Sequence, residues 1–177
     1  CYIPIGHKSE RCLNKDLVLK KLKPLLEDSS IKKIGQNIKF DFIVFFKQGI
    51  ELNSMEDTML MSYVLDAGRN RHNMDTLSEI HLDHKTIAFK DVVGTGKKEI
   101  NFSEVDLKIA KNYAAEDADI TFRLYQKFKK NLKTEKMINI YEIFEKPMIK
   151  ILAFMEIKGV KINNKFLKTL SSKFEKK

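Results

Sequence analysis

Gly35-Gln36-Asn37-Ile38-Lys39-Phe40-Asp41 is the stretch that decides how this chain is read. It continues from Ile31 to Gly35, a short strand candidate between charged flanks. It opens a helical pattern from Ile38 to Lys47, with Gly49 as the stop signal. The turn from strand to helix is where α/β proteins place ligand groups. Asn37 and Asp41 stand four residues apart and share a helix face. Taken alone, the stretch equally describes an asparagine near a helix start and a solvated acid in the first turn.

A second stretch, Tyr113-Ala114-Ala115-Glu116-Asp117-Ala118-Asp119, lies within a predicted helix from about Leu107 to Leu132. Tyr113 and Asp117 share one face of it, and the alanines beside the acid let a substrate or another backbone approach closely. A tyrosine one turn before an acid can orient a water or a phosphate. The plainer reading is a surface helix whose acids balance the lysines downstream.

Around these two stretches the pattern predicts further elements. Tyr2 to Ile5 reads as a short strand. Asn14 caps a helix with Leu19, Leu22, Leu25 and Leu26 as its apolar stripe, with Pro24 inside the pattern. Ser54 and Asp57 read as the start of a helix to about Leu65. Asp66 to Asn73 is a polar connector holding Gly68, Arg69, Arg71 and His72, and Asp75 opens a short helix to about Leu82. Lys85 to Asn101, with Gly94 and Gly96, reads as a long loop, a kind of segment that often carries function. Composition shifts after Lys136. Met148, Leu152 and Met155 then sit at helical spacing up to Gly159, and Lys161 to Lys177 is a lysine-rich helical stub. The boundary is placed near 136, giving domains 1–136 and 137–177.

Composition limits the alternatives. Of 177 residues, 43% are hydrophobic, enough for a sizeable core and too many for a disordered tail. Only 7 glycines and 3 prolines favour long regular elements over a loop-rich β module. Lys and Arg number 33 against 24 Asp and Glu, a net charge of +9, which suits a polyanionic partner such as nucleic acid. The same excess is also what lysine-rich codon drift produces. The cysteines, Cys1 and Cys12, make no zinc-ligand pattern and fit a reduced, cytoplasmic setting. No apolar run suits a membrane span, and the first residues do not resemble a signal peptide.

Taken together, Asn37-x-x-Phe40-Asp41 after a strand and Tyr113-x-x-x-Asp117 on a long helix resemble the second and third motifs of the DEDD 3′–5′ exonucleases, tyrosine subclass. The chain is similar to the proofreading domain of the family A polymerases, the bacterial DNA polymerase I family. The likeness extends to Tyr2-Ile3-Pro4, Lys23 to Asp28, Asp57 to Leu60, Arg71-His72, Met74-Asp75, and His84 to Ile87. The tail from Glu145 to Ile162 resembles the opening of that family's polymerase domain. The resemblance implies an α/β, ribonuclease H-like fold and a two-metal site that hydrolyses 3′-terminal nucleotides of DNA. By match to the motifs, Asp41 and Asp117 would hold Mg²⁺ or Mn²⁺, and Tyr113 would orient the attacking water. Gln36, Asn37 and Phe40 would flank the terminal nucleotide. Arg71 would contact a phosphate and Phe89 would pack on a base of a single-stranded end.

The family's first motif, an Asp-x-Glu pair on the first strand, has no counterpart here. The resemblance therefore implies a fold truncated at its N-terminus, lacking its first strands, and followed by helices that begin the polymerase domain. Little or no activity is expected of the chain alone. Two other readings stand beside this one: a non-catalytic remnant that binds single-stranded nucleic acid, and one half of a split exonuclease whose missing strand comes from a separate chain.

Overall fold

The computed structural model describes residues 2–8 and 12–175; Cys1 lies outside them. The chain is mixed α/β and mostly helical, built around a small sheet. Helix α1 (Lys15–Glu27) begins where Asn14 accepts the Leu17 N–H at 2.9 Å. It runs through Pro24 to its end and buries none of its residues. Strand β1 (Lys33–Gly35) then feeds α2 (Ile38–Phe46), and the chain returns as β2 (Met55–Asp57). The strands are parallel, with Ile34 opposite Glu56 and Gly35 opposite Asp57, so α2 is the crossover between them. Gly35 is required by close approach: a Cβ there would lie 2.9 Å from the Cβ of Ile38.

Helix α3 (Thr58–Asp66) follows β2 directly. The Asp57 side chain caps it through the Met59 and Leu60 N–H groups. The predicted helix start at Ser54 is thus corrected: Ser54 sits at φ +55° and residues 55–57 are a strand. Helix α4 (Met74–Leu82) comes next. The predicted loop from Lys85 to Asn101 instead contains α5 (Phe89–Val93) and a 3₁₀ turn at Gly96–Lys98. Val92 and Val93 order that stretch by packing with Val105 and Ala110. Asp106 caps α6 (Leu107–Thr134), the longest helix.

After Lys136, at φ +59°, come α7 (Ile138–Ile140), a π-helical turn (Tyr141–Glu145), α8 (Lys146–Lys158) and α9 (Asn164–Glu175). The Tyr2–Ile5 strand is absent. That segment's backbone bonds go to Leu13, through the Pro4 carbonyl, and from Lys8 to Ser103, so it finds no strand to pair with.

Two apolar cores hold the sheet in place. Met61, Leu77, Ile120, Leu124, Phe128, Leu132 and Tyr141 join α3, α4, α6 and the π turn. Ile38, Phe42, Leu52, Met55, Ile149 and Ala153 join α2 to α8. The face of α8 that is buried is Ile149 and Ala153, while Met148, Leu152 and Met155 of the predicted stripe are exposed. Among the described residues no helix is long and apolar enough to cross a membrane.

Candidate active site

The turn after β1 is set by one residue in an uncommon conformation. Asn37 lies in the left-handed region at φ 58°, which asparagine tolerates better than most residues. It offers α2 no side-chain cap. The turn aims α2 so that Asp41 enters a cleft of about 770 Å³. Asp117, from the middle of α6, lines the same cleft, and so do Lys32, Gln36 and the apolar side chains of Leu26, Ile34, Phe45, Leu52 and Phe122. The two acids singled out in the sequence thus line the same cleft. Apolar side chains make up most of the remaining lining, together with Lys33 and Thr121.

That setting works against negative charge. Burial raises the Asp117 carboxyl to about 6; the Tyr113 hydroxyl pulls the other way, and the charges of Glu116 and Asp75 push it up further. Its Oδ1 is buried and has no hydrogen-bond partner among the described residues. Native proteins rarely leave such an atom alone without a functional reason. Asp41 is more open to solvent, yet desolvation by the cleft walls still raises it. Its own backbone N–H opposes that shift and the charge of Asp57 adds to it. Among the described residues neither acid forms a salt bridge, although Lys32 and Lys33 line the same cleft, and both are hard oxygen donors of the kind Mg²⁺ and Mn²⁺ prefer.

Tyr113 stands one turn before Asp117, with its hydroxyl raised to about 12 by burial first and by the neighbouring Asp117 next. It therefore keeps its proton at neutral pH and can donate it in a hydrogen bond. Its ring sits in an aromatic group with Phe89 at 5.9 Å and Phe102 at 6.0 Å between centroids. Phe89 stacks on Phe102 at 19° and remains half exposed. Phe40 is 66% exposed on α2 and packs into no core.

Gln36 lines the cleft, but its amide is committed. It donates to the His72 carbonyl at 2.8 Å and accepts from the Thr58 hydroxyl. It thereby ties the connector that carries Arg71 to the end of β1. Arg71 is exposed and lies outside the cleft lining, as do Asn37, Phe40, Phe89 and Tyr113.

Sequence reasoning passed over two acids. Glu116 accepts from His84 Nε2 at 2.9 Å and from the Ile87 N–H at 2.7 Å, pinning the segment that leads into α5 and Phe89. Asp57 was legible as a helix start, but not as the partner of two residues in the turn before Asp41. Its carboxylate accepts the Asn37 and Ile38 N–H groups, each at 3.0 Å. Among the described residues no three His, Cys, Asp or Glu side chains cluster closely enough to hold a metal ion.

The 3′–5′ exonuclease family model matches residues 1–133. DNA polymerase I of Rhizobium leguminosarum is 46% identical over 153 residues, which cover 86% of this chain and 15% of that protein. DNA polymerase I of Pseudomonas aeruginosa is 38% identical over 173 residues, covering 94% of this chain and 19% of that protein. A plant relative, the chloroplastic and mitochondrial DNA polymerase I B of Arabidopsis thaliana, is 28% identical over 192 residues. The chain spans less than a fifth of the length of these curated relatives.

Proposed function

Because the chain belongs to the 3′–5′ exonuclease family, we propose that its cleft is the nucleotide-hydrolysing site of a DNA polymerase I-type proofreading domain with a ribonuclease H-like fold. The observation that carries this reading is that Asp41 and Asp117 line one cleft, with a buried Oδ1 on Asp117 that has no partner among the described residues. Divalent cations bound there would polarise a phosphodiester and lower the pKa of an attacking water. Asp41 and Asp117 would hold them. Tyr113, protonated at neutral pH, would donate to the water or to a phosphate oxygen and fix its direction. Phe89 would stack on a base of a single-stranded 3′ end, and Arg71 would pair with a phosphate. Asn37 and Phe40, exposed at the start of α2, would flank the terminal nucleotide. Gln36 would act on the same nucleotide chiefly by holding the Arg71 connector in place.

Two carboxylates are a thin ligand set. Each cation takes about six oxygen ligands, and two acids cannot balance the charge of a metal pair. The described residues offer no third acid to the cluster. The cleft is lined by residues 32–36 along β1, whose only partner among the described strands is β2. An added strand carrying two acids on one face would pair along that free edge and complete the site. It would come from the same polypeptide or from a separate chain.

The reading is tested on the purified 177-residue chain. We expect Mn²⁺ to bind weakly and to lose its binding in Asp117→Ala, with little or no release of 3′ nucleotides from single-stranded DNA. Efficient Mg²⁺-dependent release by this chain, abolished in Asp117→Ala, would overturn the claim that two acids are too few. Absence of any cation binding would overturn the site itself. Salt-sensitive binding of single-stranded DNA without either cleavage or cation binding would favour a non-catalytic binding module.

A further inference from the structure

Asp57 ends β2 and is 1% exposed, but its carboxylate is fully engaged. Oδ1 accepts the N–H groups of Met59 at 2.9 Å, Leu60 at 3.4 Å and Asn37 at 3.0 Å, and Oδ2 accepts that of Ile38 at 3.0 Å. Met59 and Leu60 belong to the first turn of α3; Asn37 and Ile38 open α2. One carboxylate therefore serves the unsatisfied N-terminal amides of two helices. Capping α3 needs only the first pair. The second pair does nothing for α3; it fastens α2, whose own N-cap residue makes no side-chain bond.

Asp57 is itself held from behind. Its N–H donates to the Tyr141 hydroxyl at 3.0 Å, and that hydroxyl donates to Glu56 Oε2 at 3.0 Å. Tyr141 lies in the π-helical turn, past the end of the family match at residue 133. Lys146 Nζ at 3.0 Å and Lys129 Nζ at 3.3 Å fix Glu56 in turn. A continuous set of bonds runs from the π turn, through β2, to the start of the helix that carries Asp41.

Resting on the reading of Asp41 and Asp117 as cation ligands, we propose that Asp57 is a positioning residue for that site: its carboxylate holds the first turn of α2 against β2 and so keeps Asp41 in the cleft with Asp117. Tyr141 secures Asp57 from the opposite side. Asp57→Asn keeps the cap on α3 and removes the Ile38 half of the hold on α2. An amide oxygen at the Oδ1 position still accepts from Met59, Leu60 and Asn37. The NH₂ then meets the Ile38 N–H donor to donor, and α2 loses that half of its hold.

The test uses the whole isotope-labelled chain, with thermal melting to verify that each variant folds. Mn²⁺ is expected to broaden the carboxyl resonances of both Asp41 and Asp117 in the native sequence. In Asp57→Asn, Asp117 should still broaden and Asp41 should not, while the Ile38 amide exchanges at least about tenfold faster. Tyr141→Phe should move both readouts in the same direction by less, and it carries the test if Asp57→Asn does not fold. Equal broadening of Asp41 in the native chain and in a folded variant would overturn the proposal. If Mn²⁺ broadens neither acid in the native chain, the cation-site reading fails. Amide exchange then decides the remaining point: an unchanged rate at Ile38 would overturn the hold of Asp57 on α2, and a faster rate would retain it.

Discussion

Asp117 is a carboxylate whose surroundings resist its charge, and that gives it a measurable signature. Its folded pKa of about 6 lies above the ordinary 3.8. Between those values the folded chain holds a proton that the unfolded chain has released. Its contribution to stability is therefore complete below pH 3.8 and is lost as pH rises through 6. Asp117→Asn abolishes that loss. Its melting temperature at pH 7 should exceed the native one by a few degrees, roughly 1 kcal/mol, and the gap should close towards pH 4. Added Mn²⁺ should stabilise the native chain and not the variant. Arg71, exposed on its connector, makes a different prediction: Arg71→Ala should weaken single-stranded DNA binding and lower the salt slope by about one phosphate contact, read by titration at several salt concentrations. The residues most legible in the sequence were those whose chemistry depends on local spacing. Tyr113 and Asp117 lie one helical turn apart on α6, whereas Asn37, at φ 58°, stands before the first turn of α2 and outside the cleft that Asp41 lines. Asp57 and Glu116 were harder to read because their partners are backbone amides and a histidine far along the chain, which no periodicity announces.

Elements were read best where a cap or a long apolar rhythm marked them. Asn14 and the stretch after Asp106 are of that kind, and α1, α2, α4 and α6 lie close to their predicted spans. Strand β2 was invisible because three residues, two of them acids, cannot show alternation. Its acids are buried by tertiary partners instead. Glu56 is 2% exposed and meets Lys129, Lys146 and the Tyr141 hydroxyl. Lys129 and Lys146 also share Glu142, which binds Lys146 one turn back at 2.9 Å. Replacing Glu56 by glutamine leaves two half-buried ammonium groups with one acid between them. That imbalance should cost about 3 kcal/mol, measured by urea unfolding. The loss should fall on the seam joining β2, α6 and α8. The π-helical turn at 141–145 belongs to the same seam: the Tyr141 hydroxyl meets Asp57 and Glu56, and Glu142 meets both lysines.

Across the whole molecule, burial is uneven. The sheet, α3, α6 and the α2–α8 contact share the cores, whereas α9 buries none of its residues. The break in composition after Lys136 was readable from sequence. The packing of α8 back onto α2 was not, since it depends on Ile149 and Ala153 and not on the larger side chains that draw the eye. Gly159, at φ +72°, ends α8 and separates the packed part from the exposed one. Lys158, Lys161, Lys165 and Lys168 all stand in the open around it. Brief trypsin treatment should therefore nick the chain just past α8 and leave a resistant product ending near Lys158 or Lys161, identified by intact mass. Survival of α9 under the same digestion would mean that it is shielded in solution by another molecule. For crystallisation or spectroscopy, a polypeptide ending at Lys158 would shed Phe166, Leu167 and Phe174, three greasy side chains that invite clumping, while retaining every contact that seats Asp41.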